Sequence, residues 1–166
     1  MKRIIVIGVL FMAIAATNAF AQTQSVNQSA NVNLTVQTAL SLTNVRALSF
    51  GTQVQGASAV TVDPVTGGTN TAYFTLTGAP ASQVLTVSWT SSADLTYTTT
   101  NISWTPSVAA NSTTTQSTAN TLASGGTAAA DGTGHLYLWV GGTTAAIPSN
   151  APAGTYQGTV TLTVQY

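Results

Sequence analysis

An all-β fold, an antiparallel immunoglobulin-like β-sandwich of about seven to nine strands, is what this 166-residue sequence predicts, on three observations. Threonine fills 31 positions between Gln22 and Tyr166, and a β-branched side chain with a hydroxyl suits a pleated surface dry on one face and wet on the other. Apolar residues recur with a period of two, and no segment carries a sustained stripe of period 3.6. Pro64, Pro80, Pro106, Pro148 and Pro152 fall between the predicted strands, where a missing N–H costs no ladder bond.

Taken in chain order, Lys2 and Arg3 precede the apolar run 4–16, and Ala19-Phe20-Ala21 has the small-x-small pattern of a signal-peptidase site. The run is shorter than the roughly 20 residues that span a bilayer. The expectation is a signal peptide over 1–21, a short tail over 22–29, a single sandwich domain over 30–166, and export to the periplasm, cell surface or medium. Ala30, Val32, Leu34 and Val36 alternate with Asn31, Asn33, Thr35 and Gln37. This run is either the first strand of the domain or an arm that lays Val32, Leu34 and Val36 into a neighbour's groove by strand addition. Short strands follow at 57–62, 72–76, 84–89, 95–99 and 136–140, each bounded by Gly, Pro, Asn or Asp. Residues 107–131, apolar only at Val108, Leu122 and the alanines, read as a long loop or weakly ordered edge. The chain ends on a half-buried strand in which Tyr156, Gly158, Val160, Leu162, Val164 and Tyr166 share one parity and mainly Thr and Gln the other.

Composition restricts function. Three Lys or Arg in the whole chain cannot build the basic face that phosphates need, so no nucleic-acid partner is expected. Without Cys, disulfide scaffolds, thiolate zinc sites and thiol catalysis are excluded. After Ala21 the only ionic or imidazole side chains are Arg46, Asp63, Asp94, Asp131 and His135, one Arg against three Asp, a formal charge of −2. Asp63 precedes Pro64 and Asp131 precedes Gly132, both turn-forming pairs, and Asp94 opens a strand. His135 is the sole histidine, and no Gly-x-Ser-x-Gly elbow accompanies it. No enzyme activity, catalytic residue, cofactor or metal is therefore expected.

Arg46 reads as a solvated turn residue, and Trp89 and Trp104, in phase with aliphatic neighbours, read as core. On 135–140, Leu136, Leu138 and Val140 face one way while His135, Tyr137 and Trp139 face the other. The simpler reading is a central strand covered on both faces; the functional one is a stacking surface for a glycan or a contact patch for another subunit.

Leu48-Ser49-Phe50-Gly51, the segment Val60-Thr61-Val62-Asp63-Pro64, Asp131-Gly132-Thr133-Gly134 before a strand ending Val140-Gly141-Gly142, and Gly154-Thr155-Tyr156-Gln157-Gly158 running into a terminal Tyr166 together resemble the bacterial Domain of Unknown Function 4402 family. The terminal pattern is also similar to spore coat protein U and archaic chaperone-usher pilin domains. These resemblances imply a structural surface role: a fimbrial, coat or matrix subunit whose partner is itself or a related subunit, with a periplasmic chaperone as a further partner. The edge or strand-exchange positions are then Val32, Leu34, Val36, Val160, Leu162, Val164 and Tyr166. The alternatives are a secreted carbohydrate-binding or adhesion module using His135, Tyr137 and Trp139, and a small outer-membrane β-barrel.

Overall fold

The computed structural model describes residues 28–31, 33–92 and 94–166. The expected signal segment and Val32 lie outside the described residues. The chain divides into Met1–Leu34 and Thr35–Tyr166, and the second unit holds every strand described below.

Among the described residues ten strands run as β1 (Ser41–Arg46), β2 (Thr61–Val62), β3 (Ala72–Thr77), β4 (Val84–Ser91), β5 (Asp94–Tyr97), β6 (Thr100–Asn111), β7 (Asn120–Leu122), β8 (Gly126–Ala129), β9 (Leu136–Thr144) and β10 (Val160–Gln165). One sheet has the order β1-β3-β9-β6-β5, with β2 against the end of β9 and β7 against β6; the other has the order β10-β4-β8. Every pairing is antiparallel. The protein is thus an all-β, two-sheet sandwich, and both sheets end in edges among the described residues where a barrel would close on itself.

Several expectations change. The strand count rises because a β4–β5 corner carries the chain from one sheet to the other, and because β2, β7 and β8 are only two to four residues long. Residues 107–131 are no long loop: they hold the end of β6, a 3-10 turn at Gln116–Thr118, β7 and β8. Their alanines are small enough to pack, with Ala109 and Ala110 buried. Pro106 lies inside β6, opposite Gly142 of β9. It is tolerated because β5 pairs only with Thr100–Ser103 and β7 only with Val108–Ala110, leaving the other edge of β6 free at that point. Residues 33–40, on the alternating run, are outside any strand, and regular structure starts at Ser41.

The core lies between the sheets. Leu76, Val108, Leu136, Leu138 and Val140 from the first sheet meet Leu85 and Val87 from the second, all without exposure. Each such aliphatic side chain contributes about 1.5–3 kcal/mol on burial. The central strand β9 is buried on both faces, as the simpler reading of its alternation expects: Leu136, Leu138 and Val140 look inward, and Trp139 packs outward with Ala109 and Ala119. Outer-face cover comes from the turn after β6, where Gln116 Nε2 donates to Pro64 O at 2.9 Å.

Candidate functional site

The end of the chain supplies an open edge. Strand β10 pairs with β4 on one side only. Ser92 N–H donates to Thr159 O at 2.9 Å, while Trp89 and Val87 turn their backbone groups the other way, to Ser124 and Gly125. In an antiparallel ladder paired residues alternate between bonding each other and bonding outward. Val160, Leu162 and Val164, opposite Ser91, Trp89 and Val87, therefore aim their N–H and C=O groups away from β4. Among the described residues no strand takes them up. Their side chains are only half-buried against the core, as are Leu40, Leu42 and Leu48. Tyr166, 46% exposed, donates its hydroxyl to Thr38 O at 2.9 Å, so the last residue of the chain fastens to the stretch before β1.

Leu34 and Val36 are 85% and 82% exposed, a placement that an apolar side chain does not hold without cost. No charged side chain occurs from Gln22 to Val45. Of the predicted exchange positions, Leu34 and Val36 are thus exposed, while Val160, Leu162 and Val164 lie on an edge without a strand partner among the described residues.

Beside β10 lies a cleft of about 1240 Å³ with residues 47–55 on one wall and 151–160 on the other. The Leu-x-Phe-Gly element forms the first wall: Leu48 and Phe50 turn inward while Ser49 and Gly51 face solvent. The Gly-Thr-Tyr-x-Gly element forms the second. A Cβ on Gly154 would sit 2.1 Å from the Tyr97 ring, so only glycine lets the chain pass beneath that ring. Tyr97 packs on Tyr156 at 5.5 Å, and the Tyr156 hydroxyl donates to Pro152 O at 3.1 Å. At the floor, Trp104 meets Phe50 edge to face at 6.0 Å. Its Nε1–H is buried without a partner, an arrangement costing about 1–3 kcal/mol. Sequence reading placed Trp104 in the core but missed the cleft; the signal was the in-phase pair Leu48 and Phe50 outside any strand.

The aromatic face is placed differently from a free binding surface. Trp139 is 3% exposed. Tyr73 stacks on it at 5.3 Å and on Tyr137 at 6.4 Å, and Tyr137 in turn stacks on His135 at 6.4 Å. Burial raises the Tyr73 phenol above its usual range, helped by Tyr137 and opposed by Arg46. Arg46 is not a free turn residue but a half-buried one at the end of β1. Its Nε donates to Thr71 O at 2.8 Å, its Nη2 to Gly68 O at 2.9 Å and to Thr71 Oγ1 at 3.1 Å, and its guanidinium lies 5.9 Å from the Tyr73 ring centre.

Asp131 organises the turn before β9. Its Oδ1 accepts from Thr133 N–H at 2.7 Å, Thr133 Oγ1–H at 2.8 Å and His135 N–H at 2.9 Å. The His135 backbone bond is the largest influence holding this carboxyl down to about 2. Thr133 Oγ1 lies 2.7 Å from His135 Nδ1; with its own hydrogen on Asp131, it accepts from a proton on that nitrogen. The carboxylate and imidazole of this exposed turn, 3.7 Å apart, close a loop on themselves. Among the described residues no three of His, Cys, Asp and Glu gather to hold a metal, and no helix is long and apolar enough to cross a membrane.

A family model described as "Domain of unknown function (DUF4402)" matches residues 40–166, from just before β1 to the end of the chain. Neither a curated protein nor a solved structure matches.

Proposed function

We propose, on the premise that the chain belongs to the Domain of unknown function 4402 family, that it is an exported, non-enzymatic structural protein of the bacterial surface. It serves as a fimbrial, coat or matrix subunit whose copies join through strand edges. The observation that carries this reading is the outer edge of β10, where among the described residues no strand pairs with the backbone groups of Val160, Leu162 and Val164 above their half-buried apolar side chains. An exposed edge of this kind is a template for another chain. The complementary piece is the alternating run Val32, Leu34 and Val36 of a second copy, whose backbone completes the ladder while its apolar side chains cover the core. Both surfaces are uncharged, so copies approach without long-range repulsion. The sparse titratable inventory favours a role in shape and adhesion over catalysis.

The test is sedimentation of the chain starting at Gln22, compared with the same chain carrying Leu34→Asp and Val36→Asp. Both positions are solvent-facing, so folding stability should move by no more than about 0.5 kcal/mol at each. Assembly in the parent chain and monomers in the variant are expected. A variant that assembles as the parent does would remove the run from the interface.

A further inference from the structure

At Val160 the outer edge of β10 runs into the mouth of the cleft, which that residue also lines. We propose that this mouth seats the Tyr166 end of the next copy, so that neighbours stack head to tail in direct body contact and form a stiff, open filament. This arrangement rests on the strand-edge reading and adds to it the direction of the incoming arm and a second contact surface.

The anchor of the arm sets the geometry. Thr38 is tied to its own domain twice: its carbonyl accepts from the Tyr166 hydroxyl at 2.9 Å, and its hydroxyl donates to Gly78 O. Ala39 passes so close to Gly78 that a Cβ there would lie 2.3 Å from Ala39 O, and glycine at φ +88° leaves the room. The arm therefore leaves its domain at Gln37, the only residue between Thr38 and Val36. Two residues of extended chain cover at most about 7 Å. When Val36 lies on a neighbour's β10, the Thr38 and Tyr166 of the donating copy are held against that neighbour's surface, at one end of the edge or the other.

The two ends are not equivalent. At the Tyr166 end, the receiving copy already holds its own Thr38. An arm running parallel to β10 would bring a second Thr38 to the same place. An arm running antiparallel brings it to Val160 instead, where the cleft of about 1240 Å³ opens. In that direction Val36, Leu34 and Val32 fall beside Val160, Leu162 and Val164, and the intervening Thr35 and Asn33 fall beside Thr161 and Thr163 on the wet face. Among the described residues no charged side chain lines the cleft, and none occurs from Gln22 to Val45, so the two surfaces meet without desolvating a side-chain charge. The surface that gives differs from the surface that receives, so each added copy leaves one of each free and the contact repeats without closing.

The chain has no cysteine, so introduced pairs are its only thiols. In the chain starting at Gln22, Gln37→Cys with Thr159→Cys meet between copies in the antiparallel register, whereas Asn31→Cys with Thr159→Cys meet only in the parallel one. All three positions are solvent-facing, so the variants should fold. Mild oxidation should give a ladder of covalent multimers from the first pair and none from the second. A ladder from the second pair, or none from the first in assembled protein, would overturn the direction. A Gly-Ser-Gly-Ser spacer between Gln37 and Thr38 leaves the arm whole but frees the bodies from each other. It should weaken assembly at least roughly tenfold and turn straight filaments into bent chains in electron micrographs. Spacer-bearing protein that assembles as tightly and as straight as the parent would overturn the body contact, and so would a closed dimer of the parent in sedimentation; neither result touches the strand pairing. Assembly of the Leu34→Asp, Val36→Asp chain at the parent's level would instead remove the strand-edge reading itself.

Discussion

Replacing Trp139 by alanine separates a buried outer layer from a ligand surface. Trp139 is 3% exposed, stacked on Tyr73 and packed against Ala109 and Ala119. A tryptophan in such a place buries about 150–250 Å². At about 25 cal/mol per Å² that is roughly 4–6 kcal/mol, of which the alanine retains a small part. The expected loss is about 3–5 kcal/mol, a large share of the roughly 5–15 kcal/mol that stabilises a domain. Urea unfolding followed by far-ultraviolet circular dichroism would show the midpoint falling at unchanged slope. The thermal midpoint should drop by roughly 10 °C, taking about 2–4 °C per kcal/mol for a domain of this size. Tyr137→Ala, at a half-buried position, should cost less. A Trp139→Ala protein within about 1 kcal/mol of the parent would refute this reasoning, the more so if the variant had lost binding to a glycan.

Three further expectations follow from named contacts. Because the folded pKa of Asp131 is depressed from 3.8 to about 2, its ionised form stabilises the fold above about pH 4 and loses that effect as the pH falls toward 2; Asp131→Asn should flatten the acid limb of a stability profile over that interval. Arg46→Lys keeps the charge but cannot reach Thr71 O and Gly68 O with a planar fork, and should cost about 1–2 kcal/mol in denaturant unfolding. Gly154→Val should force the Tyr97 ring off the chain and disturb the Tyr97–Tyr156 contact, seen as altered tyrosine ring shifts in NMR spectra with the β9 core resonances unmoved.

The strands legible in the sequence are those in which burial alone decides the pattern. Strand β10 alternates because one face is dry and the other wet, and β9 shows aliphatic residues on one parity and aromatic ones on the other because both faces are covered. Strands β7 and β8 were not legible: Asn-Thr-Leu and Gly-Thr-Ala-Ala carry little hydrophobic signal, and partners distant in sequence hold them. Residues 30–36 alternate as well, and the described members of that run lie outside any strand; alternation marks a capacity to pair and not the place where pairing occurs, so the pattern leaves open a first strand or an arm for a neighbour. Arg46 looked solvated because the carbonyls that bind it lie more than twenty residues further on. The cleft arises where 47–55 and 151–160 face each other, a juxtaposition no local pattern encodes. The Leu-x-Phe-Gly and Gly-Thr-Tyr-x-Gly elements that carry the family resemblance are its two walls.

The most direct measurement of the central claim is amide hydrogen exchange along β10, residue by residue, in assembled protein and in the Leu34→Asp, Val36→Asp monomer. Thr161, Thr163 and Gln165, bonded to β4, should be protected in both. Val160, Leu162 and Val164 should exchange readily in the monomer and become protected on assembly. Assembled protein in which those three amides exchange as fast as in the monomer would show that copies join elsewhere, and the account of this edge would be wrong.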